Sequence, residues 1–138
     1  MTPSLLLDTQ SLVWFMEDLP ALGRRARIAL LEADAEGRLH ISALSFWEIG
    51  VLQRKRRLRL SMDLFEWRDA VLRRGIIEEA LTGRHAILAE RLEGFHADPA
   101  DRMIAATARL LSLVLVTSDR NILGWKGELR RLDDPALK

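Results

Sequence analysis

The side chains that point to chemistry here are carboxylates in conspicuous places. Asp8 closes the apolar run Leu5-Leu6-Leu7, and Asp119 follows the stretch Leu113–Thr117. Each stands where a buried strand would end. Either can be read as the N-cap of the helix or turn that follows. If both strands are parallel and central, the two acids also share one edge of the sheet. Glu48 has Leu44, Val51 and Leu52 at i−4, i+3 and i+4, which sets it inside an apolar helical stripe. An unpaired ionised acid there is costly, so Glu48 calls for a partner: a buried arginine or a cation. The segment His96-Ala97-Asp98-Pro99-Ala100-Asp101-Arg102 carries two more acids. Asp98 reads as a helix N-cap with Pro99 in the first turn. Asp101 shares its side of that helix with Ile104, Ala105 and Ala108, while Arg102 and Arg109 point away. Small residues let the helix approach the sheet closely and hold Asp101 at its edge.

Asp8, Glu48, Asp101 and Asp119 brought to one edge would repel one another. Without a cation, at least one would have a raised pKa and stay protonated. Oxygen ligands without cysteine or clustered histidine suit Mg²⁺ or Mn²⁺. A divalent-metal site is therefore the economical reading of the four acids. Thr117, two residues before Asp119, can donate its hydroxyl to one of the carboxylates or to a metal-bound water.

The elements that must position these groups alternate. Strands are expected at Ser4–Leu7, Leu39–Ser42, Ile76–Ala80, Ser112–Val116 and Glu128–Leu132. Helices are expected over Thr9–Met16, from Pro20 through Ala35, and over Ala43–Arg54. Further helices should run from a Ser61 cap to about Arg74, from Thr82 to Glu93, and over Pro99–Leu111, with a short turn at 119–124. Gly37 and Gly94 would stop two of these helices. Short apolar strands separated by helices imply an α/β, three-layer sandwich around a central, mostly parallel sheet. Its strand carboxyl ends gather on one edge, where such sheets usually bind ligands.

Length and composition set the limits. A chain of 138 residues is expected to form one domain, residues 1–138. At 49% hydrophobic and 30% charged residues it reads as globular, not disordered. With no cysteine, disulfides, Cys-ligated zinc, iron–sulfur clusters and thiol nucleophiles are all excluded. A formal net charge of +1 gives no global field to recruit nucleic acid or membrane, so any attraction is local. The start Met-Thr-Pro-Ser-Leu-Leu-Leu-Asp lacks a secretory pattern, and no apolar run approaches a membrane span. A cytoplasmic location without membrane association is the expectation.

The pattern resembles the PIN-domain ribonucleases, in particular the VapC toxins of bacterial toxin–antitoxin pairs. The resemblance rests on Leu-Leu-Leu-Asp8-Thr9, Ser45-Phe46-Trp47-Glu48-Ile49, His96-Ala97-Asp98-Pro99-Ala100-Asp101-Arg102 and Val116-Thr117-Ser118-Asp119. These occur in the family's order and spacing across nearly the whole chain. The resemblance implies RNA phosphodiester hydrolysis by water, without a covalent enzyme intermediate. By the same resemblance Asp8, Glu48, Asp101 and Asp119 bind Mg²⁺ or Mn²⁺, with Asp98 as an accessory acid and Thr9 and Thr117 as supporting hydroxyls. A homodimer and a cognate antitoxin laid across the acidic edge are also implied. One departure is visible: Gln10 stands where relatives often carry His, Asn or Ser.

Other side chains read two ways. The run Arg54-Lys55-Arg56-Arg57-Leu58-Arg59 is either a solvated helix end favoured by the dipole or, chiefly through Arg54, Lys55, Arg56 and Arg57, a contact for RNA phosphates. Arg102 could likewise touch phosphate or pair on the surface. Trp14, Trp47, Trp67 and Trp125 are either core residues or stacking platforms for unpaired bases. Two alternatives to a nuclease stand. One is an inactive PIN-like RNA- or protein-binding module. The other is a Mg²⁺-dependent phosphatase or receiver-type domain, which Asp8-Thr9-Gln10 fits poorly because such proteins want a second acid beside the first.

Overall fold

A computed structural model describes residues 3–133. Residues 1–2 and 134–138, which enter the readings of the N-terminus and of a single domain over 1–138, lie outside the described residues. The chain alternates β1 (Leu5–Leu7), α1 (Thr9–Met16), a 3-10 turn (Pro20–Leu22), α2 (Arg24–Ala35), β2 (Leu39–Ser42) and α3 (Ala43–Arg54). It continues with α4 (Leu64–Arg73), β3 (Ile77–Glu79), α5 (Gly83–Glu90), α6 (Pro99–Leu111), β4 (Val114–Thr117), α7 (Arg120–Leu123) and β5 (Arg131–Asp133).

The five strands among the described residues are parallel, in the order β3-β2-β1-β4-β5. The α/β sandwich expected from alternation is the architecture found. Strand periodicity divides the core between the two faces. Leu5 and Leu7 pack with Leu12, Phe15, Leu30, Ile49 and Trp67 on one side. Leu6 points the other way, to Ile104, Ala105, Leu115 and Trp125. Leu6 and Leu7 are fully buried, and each such leucine contributes roughly 1.5–3 kcal/mol of burial free energy.

Several boundaries move, each for a local reason. The helix expected from Pro20 is broken, because Gly23 at φ 82° separates the 3-10 turn from α2. Ser61 is not a cap: its N–H and hydroxyl bind Glu17, and Asp63 caps α4 through Phe65 N–H. The helix expected to reach Glu93 ends at Glu90, since Arg102 occupies the carbonyls of Ala89 and Glu90. Ser112 belongs to the end of α6, in the left-handed conformation at φ 54°, so β4 starts at Val114. The last strand begins at Arg131, pairing with Leu115, rather than at Glu128.

Candidate active site

The crevice lies where the strand order reverses. From β1 the chain goes to β2 on one side, and β4 later fills the other, so β1 and β4 are neighbours with Leu7 opposite Val116. Asp8 is the first residue beyond β1 and Asp119 the second beyond β4, which puts both on the carboxyl edge of the sheet. Ser42 ends β2 and caps α3 by accepting from Leu44 N–H, and Glu48 stands on the second turn of that helix. Asp98 caps α6 by accepting from the N–H groups of Ala100 (2.9 Å) and Asp101 (3.2 Å), placing Asp101 in the first turn. These segments, far apart in sequence, close a pocket of about 310 Å³. Asp8, Thr9, Gln10, Glu48, Leu52, Asp101, Ser118 and Asp119 line it. All four acids singled out in the sequence meet there.

Capping and site-building coexist in the same side chains. Asp8 Oδ1 accepts from Ser11 N–H at 2.8 Å, and Asp119 Oδ1 accepts from Asn121 N–H at 2.8 Å. Thr117 links the two: its oxygen accepts the Asp119 N–H at 3.0 Å and its hydroxyl hydrogen-bonds Asp8. Burial pushes the Asp8 carboxyl up, against hydrogen bonds from Thr117 and Ser11, and the Asp119 charge adds to the rise. Glu48 is hydrogen-bonded by Thr9 Oγ1, which also lies 2.9 Å from Ser45 Oγ. Burial raises Glu48 to about 7, opposed by Thr9 and reinforced by the charges of Asp101, Asp98 and Asp8. Asp101 rises to about 6 through burial, opposed by a hydrogen bond from His96 and reinforced by Asp98 and Asp119.

The arginine partner that would have made Glu48 a structural residue is not what the structure places there. Among the described residues, no Arg or Lys lines the pocket. Carboxylates gathered in a pocket that no described lysine or arginine lines, with those of Asp8, Glu48 and Asp101 raised by burial, are a donor set that fits a hard divalent cation. The tightest group is His96, Asp101 and Asp119, whose potential ligand atoms all lie within 4.8 Å of one another. Asp98 stays exposed, with its Oδ1 committed to the α6 cap.

Arg102 requires a correction. Its guanidinium is spent on the backbone, donating to the carbonyls of Ala89, Glu90, Leu92, Phe95 and His96. It is therefore a clamp on the loop before α6, not a phosphate contact. Arg54, Lys55, Arg56 and Arg57 are exposed at the end of α3, two to five residues beyond the pocket residue Leu52. Trp67 and Trp125 are buried, edge-on to Phe46 and Phe95, and Trp14 packs against the core. Trp47 is 64% exposed. Sequence reasoning passed over His96 and Ser45. Helical spacing gave a signal for Ser45, three residues before Glu48; His96 showed only as part of an acidic segment.

A family model described as PIN domain matches residues 5–124. The chain belongs to the PIN-domain family. Within it, the chain is 31% identical over 119 residues to Ribonuclease VapC22 of Mycobacterium tuberculosis (strain ATCC 25618 / H37Rv), covering 86% of this chain and 89% of that protein. The PIN fold is shared with a DNA-bound VapBC from Salmonella typhimurium at TM-score 0.71 and 19% identity, over 96% of this chain and 99% of that one. It is also shared with VapBC2 from Rickettsia felis, bound to a promoter DNA fragment, at TM-score 0.66 and 17% identity, over 94% and 98%. Membership of the PIN family displaces the phosphatase and receiver alternatives. No helix among the described residues is long and apolar enough to cross a membrane.

Proposed function

We propose that this PIN domain is a Mg²⁺- or Mn²⁺-dependent endoribonuclease and the toxin of a toxin–antitoxin pair. The observation that carries the reading is the convergence of Asp8, Glu48, Asp101 and Asp119 in one pocket that no described Arg or Lys lines. The likeness to Ribonuclease VapC22 supports RNA as substrate. Asp8, Asp101 and Asp119 would hold the cation, with Asp98 fixing the helix turn that presents Asp101. When bound, a divalent cation supplies Lewis acidity, acidifying water and polarising the phosphoryl group. Glu48, on the pocket wall with its carboxylate held by Thr9, suits the general base that takes a proton from the attacking water. Thr117 fixes Asp8 and the Asp119 backbone together. Arg54, Lys55, Arg56 and Arg57 are the proposed contacts for RNA phosphates outside the pocket.

The partners follow the same reading. The likeness to VapBC complexes supports a cognate antitoxin. A homodimer is supported by an apolar cleft beside the site, lined by Leu44, Trp47, Leu81, Pro99, Ala100 and Met103. The protein is proposed to act as one domain in the cytoplasm. The test is incubation of the purified chain with labelled RNA, with Mg²⁺, with Mn²⁺ and with a chelator. Cleavage in either metal that the chelator abolishes is expected. Cleavage that survives chelation, or none in any metal, overturns the proposal.

A further inference from the structure

His96 can serve the pocket in two ways. Its Nε2 lies 2.7 Å from Asp101 Oδ2, and His96 falls within the tight group formed with Asp101 and Asp119. It could be a nitrogen ligand to the cation, or its Nε2–H could donate to Asp101. The second ring nitrogen decides between them. Nδ1 is buried and has no hydrogen-bond partner among the described residues. If Nε2 bound a cation, the ring proton would move to Nδ1, and a buried N–H would be left with no acceptor. Ligating histidines normally donate that N–H to a carboxylate or carbonyl, and none of the described residues accepts it. With the proton on Nε2, Nδ1 is an unfilled acceptor of a neutral ring, which costs less than an N–H polarised by a bound cation, and the proton makes a charge-assisted bond to Asp101.

The ring is fixed in this place from both sides. Phe95 stacks on it with centroids 4.6 Å apart and planes at 21°. Arg102 holds the backbone beneath it, donating to the carbonyls of Phe95 at 2.8 Å and His96 at 3.2 Å. We propose that His96 is a positioning residue that holds Asp101 Oδ2 through Nε2–H, leaves Oδ1 for the cation, and is not itself a ligand. The assignment rests on the metal-site reading above and completes it, because the cation then meets oxygen donors alone from the protein. That is the set that suits Mg²⁺ and Mn²⁺ over softer metals.

The test uses the full chain labelled with ¹⁵N. Ring-nitrogen shifts in metal-free protein should show His96 protonated on Nε2 and bare on Nδ1, and Mg²⁺ should leave that tautomer in place. Pulsed electron paramagnetic resonance of the Mn²⁺ form should show no directly bound ¹⁴N. Mn²⁺ affinity should fall roughly 10–100-fold in His96→Ala, and His96→Gln, which keeps an N–H donor, should recover part of it. An Nδ1–H tautomer, a bound ¹⁴N signal, or equal Mn²⁺ affinity in the parent chain and His96→Ala overturns the assignment alone. Failure of the parent chain to bind Mn²⁺ overturns the metal-site reading, and this assignment with it.

Discussion

Asp8 combines a helix cap with a proposed place in the metal site, and the two can be separated. It caps α1 through Ser11 N–H, yet it is buried to 8% exposure with its pKa raised. Asparagine caps a helix about as well as aspartate, so Asp8→Asn removes the charge and keeps the cap. RNA cleavage should then fall by more than the roughly 10–100-fold that follows loss of a group one step removed from a metal. The melting temperature in metal-free buffer should stay level or rise, since one repelling charge is gone. A large drop in melting temperature would mean that the charge is structural.

At the scale of elements, two helix ends do different work. The N-terminus of α6 is set by Asp98, so Asp98→Ala should cost roughly 0.5–2 kcal/mol in a denaturant titration. Folded Asp98→Ala protein should still cleave RNA, because its cap oxygen is not among those lining the pocket. Complete loss of turnover would promote Asp98 to the site. The C-terminus of α3 carries the exposed run Arg54–Arg57, whose neutralisation should flatten the salt dependence of RNA binding. The slope of log affinity against log salt should shrink by roughly 0.7 for each phosphate that is no longer neutralised. Arg102→Ala should behave oppositely. It should leave the salt slope unchanged and destabilise the fold by about 2 kcal/mol or more, because buried carbonyls lose their donor.

For the whole molecule, the crowded carboxylates tie stability to pH and to metal. Between about pH 4.5 and 7 the folded chain keeps a proton on Glu48 that the unfolded chain has released. The native state therefore binds more protons in that window, and metal-free stability falls as pH rises through it. Asp101, raised to about 6, and Asp8 act with the same sign. Glu78, held low by Arg68, acts below the window, losing its contribution as pH falls. Metal binding requires ionised carboxylates, so stabilisation by Mg²⁺ should grow as pH rises. Thermal melts from about pH 5 to 8, with and without Mg²⁺, should show a declining metal-free curve and a widening gap. A metal-free melting temperature that climbs from about pH 5 to 7 would contradict the raised values.

By itself the sequence determined the alternation of strands and helices, the parallel sandwich, and the four acids at its edge. Those features are encoded within a few residues: apolar runs ending in an acid, helical spacing around Glu48, and Asp98-Pro99 opening a helix. Tertiary structure decided what Arg102 holds and where His96 lies. Arg102 reads locally as a surface cation, but the loop before α6 folds back so that carbonyls 6 to 13 residues earlier surround its guanidinium. That same capture stopped α5 at Glu90 and fixed the backbone under His96. Local periodicity carries no information about where a loop returns. The path of residues 91–98 comes from packing Leu92, Phe95 and Trp125 beneath the sheet, a contact between segments that no short window of sequence contains.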